Sequence, residues 1–368
     1  ATGFKTKNFM LSILPTGRSV KTVLEEVEER KMRVGLVTTS TVTDATLAAF
    51  GAHSHDRANQ ADIARQYLDR DIDLILGGGR CFFLPKRYSE SARSDDRNLI
   101  AEFQAHGYAY VSNLAEMKGV NAQKVLGLFT SKDMSLELDR DYENEPSLSE
   151  MTQMALKVLM DKNRSGFFVL IESENIDTAA HNNDVASLIH AVREFDRAAA
   201  VAYDFYRQYP NETLLIVAAD HETGGLSLTT AGNTFPGIEQ LRKIASIKIS
   251  FTKATQLLGD NPSLRSIKHL LSTYYPGFPL TREVKEDLLK KRTAGEEFSN
   301  WPQNVLGQLV AQQTLVYWGS SGHTAQPVGV AALGVGSSNF HGYLDNTTFG
   351  QILFKLFTSS SQAATSSE

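Results

Sequence analysis

The sequence predicts an α/β fold, a three-layer sandwich of helices around a mostly parallel central sheet, with a cap inserted late in the chain. Short apolar runs typical of buried parallel strands recur along the sequence. Helical patterns alternate with the first of these runs, as expected for a parallel sheet. The stretch 235–313 departs from this alternation, and 368 residues suffice for one large domain with such an insertion.

Two helix–strand units open the chain. Apolar residues recur at helical spacing between Val20 and Val27, and a β-rich run from Val34 to Val37 follows. The second unit has helical spacing between Ile63 and Leu68, followed by a run from Ile72 to Leu76 that ends in three glycines. Two such units in succession indicate a parallel sheet.

Further elements complete the predicted domain. Buried strands of the kind found in parallel sheets are predicted at Val125 to Phe129, Phe167 to Ile171, Leu214 to Ala218 and Val328 to Leu333. A long helix is predicted from Asp184 to Tyr206. The lysine- and turn-rich stretch 235–313 is interpreted as the inserted cap or crown, and the Ser- and Ala-rich end, 359–368, as a tail. Residues 1–234 and 314–358 then form the α/β core.

Charge and composition argue against several classes of protein. The formal net charge is -5 and no basic block occurs, so neither nucleic acid nor an anionic membrane surface is expected as a specific partner. The single cysteine, Cys81, excludes an internal disulfide and a cysteine-rich zinc site. No apolar run approaches the ~20 residues that span a bilayer. We therefore expect a folded protein that acts on a small substrate.

Carboxylates and imidazoles follow the later predicted strands. In open parallel sheets, functional groups gather in the loops beyond the carboxyl ends of strands. Three separate segments of this chain present such groups there, and together they could surround metal ions. The residues are Glu172, Asp177 and His181, then Asp220 and His221, and finally His323.

Each pair taken alone has an ordinary explanation as well. Asp177 and His181 are four residues apart, so on a helix they face one way and could bind one ion, although a surface pair that caps a helix has the same spacing. Asp220 and His221 follow a strand, where adjacent side chains diverge, so they could bind different ions or approach one ion from opposite sides. A buried histidine held by a strand-end carboxylate is the alternative. The number of such pairs in one chain favours metal binding.

An oxygen-rich group lies earlier in the chain. Asp44 and Thr46 follow the first predicted strand, and with Glu172 they form an all-oxygen set of the kind that Mg²⁺ prefers. On local sequence alone, Asp44 is better explained as the N-cap of a helix over 45–50. The planar guanidinium of Arg57 could bind two phosphate oxygens. His53 and His55 are interpreted as packing or surface residues.

These pieces, in this order, resemble the alkaline phosphatase family. The resemblance runs from Ala1 to about Lys355 and is weakest across the cap. The run Asp-His-Glu-Thr-Gly-Gly and the late His-Thr are its most specific parts. The matching stretches are Val37 to Ser40, Asp44 to Thr46 and Arg57; Glu172, Ile176, Asp177 and His181; Ala219 to Gly225; and Trp318 to Thr324.

The resemblance implies two zinc ions. Asp177, His181 and His323 would bind one of them. Asp220 and His221 would serve the second. Two ions ~4 Å apart can stabilise both the attacking and the leaving oxygen of an in-line displacement.

It also implies one magnesium ion and a substrate-binding arginine. Asp44, Thr46 and Glu172 would hold the magnesium. Arg57 would bind the substrate phosphate and is the catalytic residue that the resemblance assigns within this chain. The expected reaction is hydrolysis of phosphate monoesters through a phosphoserine, by a periplasmic or secreted protein that can form a homodimer.

The sequence departs from the family pattern at the nucleophile. The family has an Asp-Gly strand end and an Asp-Ser-Ala nucleophile motif near the N-terminus, and neither occurs here. Ser12, Ser19 and Ser40 lack the helix-start setting of that nucleophile. We therefore expect an upstream segment to be truncated, the sheet to be interrupted where its strand belongs, and the chain alone to have little or no turnover.

Two alternatives remain open on the sequence. Another metallohydrolase of the superfamily, such as a phosphodiesterase or a sulfatase, would use similar Asp and His ligands. A catalytically inactive metal-binding homologue would keep the ligands without the nucleophile. The magnesium group and Arg57 favour an enzyme for phosphate monoesters over the first alternative. Because the serine motif is missing, the second alternative stays open.

Overall fold

The structure is a computed structural model that describes residues 1–160, 165–230, 235–291, 295 and 297–364. Its strands are β1 Arg33–Thr41, β2 Leu74–Gly78, β3 Ala109–Val111, β4 Val125–Leu128, β5 Phe167–Glu172, β6 Leu214–Ala218, β7 Glu222–Thr223, β8 Leu226–Leu228, β9 Val316–Trp318, β10 His323–Thr324 and β11 Val330–Gly334. Its helices are α1 Val23–Glu29, α2 Ala45–Gly51, α3 Gln60–Asp69, α4 Leu99–Ala105, α5 Leu114–Gly119, α6 Leu148–Met160, α7 Glu174–His181, α8 Val185–Gln208, α9 Ile238–Ala245, α10 Phe251–Leu258, α11 Leu264–Tyr274, α12 Arg282–Lys290, α13 Gln303–Thr314 and α14 Asn346–Ala364.

A five-stranded parallel sheet forms the centre of the molecule. Its order is β3-β4-β2-β1-β5, and each neighbouring pair is parallel. Leu36 of β1 aligns with Ile75 of β2 on one side and with Leu170 of β5 on the other. β2 and β4 are buried along their whole length, as apolar runs without alternation predict. The predicted α/β class and parallel sheet are confirmed.

Helices cover both faces of this sheet. Because side chains alternate along a strand, Leu36 packs into one core with α1, α2, α3 and α14, while Val37 packs into another with α6 and α8. α1 begins at Thr22, whose hydroxyl accepts the Glu25 N–H while the Glu25 carboxylate accepts the Thr22 N–H. The two apolar cores on opposite faces give the three layers.

A second sheet differs from the sequence prediction. The predicted strand near Val328 to Leu333 is present as β11, but it pairs antiparallel with β6, with Leu215 opposite Leu333. An apolar run indicates burial and carries no information on strand direction, so the parallel assignment was wrong for this strand. Among the described residues, β5 pairs only with β1, and β6 only with β11. In this part of the chain β5 and β6 belong to separate sheets, and the interruption expected at a missing strand stays a prediction.

The helices α9 to α13 occupy the stretch predicted to be a cap and enclose an apolar cluster of their own. Phe251, Tyr275 and Leu309 are buried in this cluster, which extends to Val185 at the start of α8. We propose that this part is the inserted cap; 231–234, 292–294 and 296 lie outside the described residues. The predicted tail is helical in part, since α14 continues to Ala364.

No helix within the described ranges combines the length and the apolar character that crossing a bilayer requires.

Candidate metal centre

The predicted ligands lie together at the carboxyl edge of the sheets. β5 ends at Glu172, and β6 ends two residues before Asp220. The negative charges of Asp44 and Asp220 both act on the Glu172 carboxyl group. Segments that are far apart in the sequence therefore meet at this edge, as expected for the carboxyl ends of strands in an open α/β sheet.

Asp177 is shared by three imidazoles. α7 places Asp177 and His181 one turn apart, so both side chains face the same way, and His181 Nε2 lies 3.0 Å from Asp177 Oδ2. The other carboxylate oxygen lies 3.7 Å from His323 Nε2 and 4.0 Å from His221 Nδ1. One carboxylate thus brings together side chains from α7, from the loop after β6 and from β10.

These imidazoles are packed tightly. The rings of His221 and His323 stack with centroids 3.6 Å apart. The Nε2 atoms of His181 and His323 are 3.1 Å apart. Potential ligand atoms of Asp177, His221 and His323 all lie within 4.8 Å of one another. Imidazole nitrogens crowded around a carboxylate are the donors that zinc prefers.

Hydrogen bonds orient two of the rings. His181 Nδ1 lies 2.5 Å from the carbonyl oxygen of Ser321, which can only accept, so Nδ1 donates there, while Nε2 faces Asp177 Oδ2 at 3.0 Å, where a bound cation would take the place of its proton. The hydroxyl of Thr223 donates to Asp177 and accepts from His221 Nδ1–H at 3.2 Å. Nε2 of His221 faces the Asp220 carboxylate at 3.2 Å, where a cation could bind between them. Both rings are thereby prepared to bind a cation through Nε2.

Asp220 is the most exposed member of the group, with 70 % of its side chain accessible. Its Oδ2 lies 3.2 Å from His221 Nε2, and its Oδ1 accepts a hydrogen bond from the His221 backbone N–H. Alternation along a strand predicts that the two side chains diverge. They lie against each other because both residues follow the end of β6, where strand alternation no longer applies.

Glu172 is the centre of the oxygen-rich group. Its carboxylate accepts hydrogen bonds from the hydroxyls of Thr38, at 2.6 Å, and of Thr46. Burial raises the pKa of Glu172 to about 7, and the charges of Asp44 and Asp220 act in the same direction. A divalent cation beside it would favour the ionised carboxylate. The hydroxyl and carboxylate oxygens suit magnesium.

Asp44 connects this group to Arg57. It occupies the N-cap position of α2, as local sequence predicts, but its side chain makes no capping hydrogen bond. Its Oδ1 instead accepts a hydrogen bond from Arg57 Nη2 at 2.7 Å. The expected capping role is therefore wrong, because the Asp44 carboxylate binds the Arg57 guanidinium instead of the backbone N–H groups of α2. The pair is partly exposed, so the guanidinium remains open to a ligand.

The charges of the imidazole group are coupled. Burial opposes ionisation of Asp177, but hydrogen bonds from His181 and Thr223 lower its pKa. The hydrogen bond to Asp177 raises the pKa of His181. Burial and the neighbouring His221 lower the pKa of His323. An ionised Asp177 beside a neutral His323 is the state that binds a cation.

Several supporting residues escaped the sequence analysis. Thr38 and Thr223 hold ligands in place, and Glu222 accepts hydrogen bonds from Thr324 and from the Gly225 N–H beside His221 and His323. Glu174, next to the ligands, accepts a hydrogen bond from Thr178, and burial raises its pKa to about 8. These residues lie at a strand end or next to a predicted ligand in the sequence, and that position could have indicated their supporting role.

The donor types fit the ions that the resemblance implies. Asp177, His181, His221 and His323 offer carboxylate oxygen and imidazole nitrogen, which zinc binds. The group around Glu172 offers oxygen alone. His221 stands close to Asp177 and His323 as well as to Asp220, so the two predicted zinc groups adjoin.

Comparison with known proteins identifies the family of the chain. The family model for alkaline phosphatase matches residues 1–358. Alkaline phosphatase 4 and alkaline phosphatase 3 of Bacillus subtilis (strain 168) are each 33% identical to the chain, over 97% and 96% of its length and 74% of their own. The chain thus spans about three quarters of these relatives.

Solved structures give the same result. The crystal structure of Thermus thermophilus alkaline phosphatase superposes with a TM-score of 0.89 at 32% identity, and covers 96% of this chain and 76% of that one. A cold-active alkaline phosphatase from Shewanella sp. has a TM-score of 0.77 at 31% identity, covering 97% and 83%. On the fold, the ligand geometry and these matches, the chain belongs to the alkaline phosphatase family.

Proposed function

We propose that the chain contributes to hydrolysis of phosphate monoesters by binding two zinc ions and one magnesium ion and by binding the substrate phosphate through Arg57. The observation that carries the proposal is the convergence of three imidazoles on the Asp177 carboxylate. Family membership supports the reaction class. The metal set and the residue roles are our proposal.

Asp177, His181 and His323 would bind one zinc ion, Asp220 and His221 the second, and Asp44, Thr46 and Glu172 the magnesium ion. When bound, the ions would neutralise charge on the attacking and leaving oxygens of the phosphoryl group. Ser321 and Thr223 would keep the His181 and His221 rings oriented through Nδ1.

Arg57 would bind two oxygens of the phosphate through its planar guanidinium. Asp44 supports this role, because its hydrogen bond to Nη2 leaves the other nitrogens of the guanidinium available. Because the Arg57 side chain is 40% accessible, a small phosphate ester can reach it. Such a site grips the phosphate more than the rest of the ester, so many monoesters would be accepted.

We propose that turnover by residues 1–368 alone is low. Ser40 is buried and its hydroxyl donates to Asp133 at 3.1 Å, and the Ser12 hydroxyl donates to the Ala49 carbonyl at 2.5 Å. The Ser12 hydroxyl faces a carbonyl, which cannot take up its proton. The Ser40 hydroxyl is buried and shares Asp133 Oδ1 with the N–H and hydroxyl of Thr41, so neither serine is set up as a nucleophile.

Metal content and activity test the proposal together. We expect the purified chain to bind two zinc ions and one magnesium ion, measured by elemental analysis after dialysis and by calorimetric titration. The Asp177→Asn variant should lose zinc, while the exposed control Asp204→Asn should retain it. Wild-type zinc content in Asp177→Asn would contradict the proposal.

Release of phosphate from p-nitrophenyl phosphate distinguishes the remaining alternatives. Weak, metal-dependent release from the monoester, with none from a diester or a sulfate ester, supports a phosphomonoesterase. Rapid metal-dependent turnover by a sample of confirmed mass would refute low activity of residues 1–368. An inactive metal-binding homologue would bind the ions without any release of phosphate.

Export to the periplasm or out of the cell and formation of a homodimer follow from family membership as further proposals. Light scattering after size-exclusion chromatography measures the oligomeric state directly, and a mass of one chain would contradict the dimer.

A further inference from the structure

The segment that carries Arg57 is pinned along its backbone. We call residues 52–59, which join α2 to α3, the Arg57 loop. Leu11 and Ser54 exchange two backbone hydrogen bonds, of 2.9 and 3.0 Å. The Arg57 N–H donates to the carbonyl of Phe9 at 2.8 Å. The position of the arginine therefore depends on how firmly this loop is held.

His53 is the side chain that fastens the loop to the rest of the protein. Its backbone N–H and carbonyl bond to the amide group of Gln66 on α3, each at 2.9 Å. Its ring Nδ1 lies 3.0 Å from the carbonyl oxygen of Ser12, and Nε2 lies 3.1 Å from Glu25 Oε1 on α1. Only 18% of the side chain is accessible. One residue thus ties together the N-terminal segment, α1 and α3.

Both ring nitrogens face atoms that can only accept. The Ser12 carbonyl has no proton to give. Glu25 already accepts from Arg70 at 2.5 Å and from the Thr22 N–H at 2.7 Å. Burial opposes its ionisation, but hydrogen bonds from His53 and Arg70 lower the pKa of Glu25 to about 2. Only an imidazolium, with a proton on each nitrogen, satisfies both contacts.

Charged groups around His53 come from two helices and the segment before them. An open cavity of about 420 Å³ lies against the ring and is lined by Lys21, Glu25, Glu28, Glu29 and Arg70. The hydrogen bond that His53 donates to Glu25 raises the pKa of His53, while burial and the charge of Arg70 oppose it. Because the folded pKa is raised, the second ring contact is present at low pH and is lost as pH rises through that value.

We propose that His53 is a positioning residue for Arg57, and that its imidazolium holds the Arg57 loop in the geometry that binds phosphate. When the ring loses a proton, one nitrogen faces an acceptor without a hydrogen between them, and the contact to Ser12 or to Glu25 is lost. Arg57 is then less restrained. Phosphate, as substrate or product, is bound more weakly in alkaline solution for this reason, in addition to any effect of its own ionisation.

The inference rests on the proposed function only in assigning phosphate binding to Arg57. Its first test is the dissociation constant for inorganic phosphate, measured by calorimetry on the full chain loaded with zinc and magnesium between pH 6 and pH 9. The His53→Gln variant cannot titrate and can donate to only one of the two acceptors. The control is His55→Gln, which changes an exposed histidine of the same loop.

We expect His53→Gln to bind phosphate about tenfold more weakly than wild type at pH 6, the equivalent of about 1.4 kcal/mol. The difference should shrink as pH rises, because wild-type His53 loses the same contact. His55→Gln should follow wild type throughout. The proposal would be overturned if His53→Gln bound phosphate more weakly than wild type by the same factor at every pH, or if it bound phosphate as tightly as wild type.

A second readout does not involve phosphate. In wild type, the backbone amides of Leu11, Ser54 and Arg57 should lose protection from hydrogen exchange, after correction for intrinsic rates, as His53 deprotonates. We call this change with pH the protection step, and His53→Gln should not show it. Glu25→Gln should move the protection step to lower pH. If the amides change protection in this way but wild type binds no phosphate, the proposed phosphate binding by Arg57 is wrong, and the proposal that His53 holds the Arg57 loop is kept. If wild type binds phosphate but the protection does not change with pH, the proposal for His53 is wrong.

Discussion

Hydroxyl groups beside the ligands decide which imidazole nitrogen can bind a cation. Thr223 donates to Asp177 and accepts from His221 Nδ1–H, so it fixes both residues. We expect Thr223→Val to lower zinc affinity by about 10- to 100-fold, the usual effect of removing a partner that orients a metal ligand. Calorimetric titration of zinc measures it.

A matched control for this prediction is Thr273→Val on α11. Within the described ranges, its hydroxyl donates to the carbonyl of His269 in its own helix and to no other group. Zinc affinity should be unchanged in this variant. A loss equal to that of Thr223→Val would mean that threonine substitutions act through overall stability.

Arginine geometry gives the second prediction. Arg57→Lys keeps the positive charge but replaces the planar fork with a single ammonium group. We expect phosphate to bind about tenfold more weakly, because a bidentate contact becomes a single one, while zinc content stays at the wild-type level. The exposed Arg18→Lys is the control, and equal phosphate affinity in Arg57→Lys would exclude a bidentate role.

Residue roles were predictable where spacing alone fixes geometry. Asp177 and His181 are one helical turn apart, so the sequence predicted that they face the same way. The role of Thr223 was not predictable, because its hydroxyl acts across the fold on α7. Asp44 shows the opposite case, since a correctly predicted N-cap position carries a side chain that bonds to Arg57.

Strands were predictable as elements, but their pairing was only partly so. The runs that became β4, β5 and β6 were found within one or two residues, because buried strands are short and apolar. The antiparallel direction of β11 could not be predicted, because direction depends on the path of the connecting chain and leaves the composition of the strand unchanged. The small strands β7 and β10 bring Thr223 and His323 together with only two residues each.

The contact between α1 and α3 gives a pH prediction. Burial raises the pKa of Glu28 on α1 to about 7, and its Oε1 is buried with no hydrogen-bond partner among the residues that the structure describes. A raised carboxyl pKa means that the folded state binds more protons, so wild type loses stability between the ordinary value of about 4.5 and about 7.

The side chain in Glu28→Gln cannot ionise, so the variant should become more stable than wild type over that pH window. With allowance for partial exposure and for the lost charge contact with Arg70, we expect its free energy of unfolding to exceed that of wild type by about 1 kcal/mol at pH 8 and to equal it at pH 4.5. Urea unfolding at both pH values measures it. The exposed Glu29→Gln is the control, and a gain independent of pH would contradict the assignment to ionisation.

The centre joins the cap to the sheet at the scale of the whole molecule. Asn304 of α13 donates to the carbonyl of His181 and to the side chain of Asn183, and Asp184 accepts the N–H of Phe251 in α10. These contacts hold α7 between the cap helices and the sheet. A cation bound at Asp177 would therefore stabilise parts of the chain that are distant in sequence.

Metal removal tests this coupling. Cations that bind only the folded protein stabilise it by about 2.7 kcal/mol for each site when the free ion is at a hundred times its dissociation constant. Chelation should thus lower the melting temperature of wild type, and zinc with magnesium should restore it. Asp177→Asn should melt near the chelated wild type and gain little from zinc, whereas Asp204→Asn should respond as wild type does. Because α7, β7 and β10 meet at Asp177, hydrogen exchange should slow at all three on zinc addition. Protection confined to α7 would mean that the imidazoles do not share one ion.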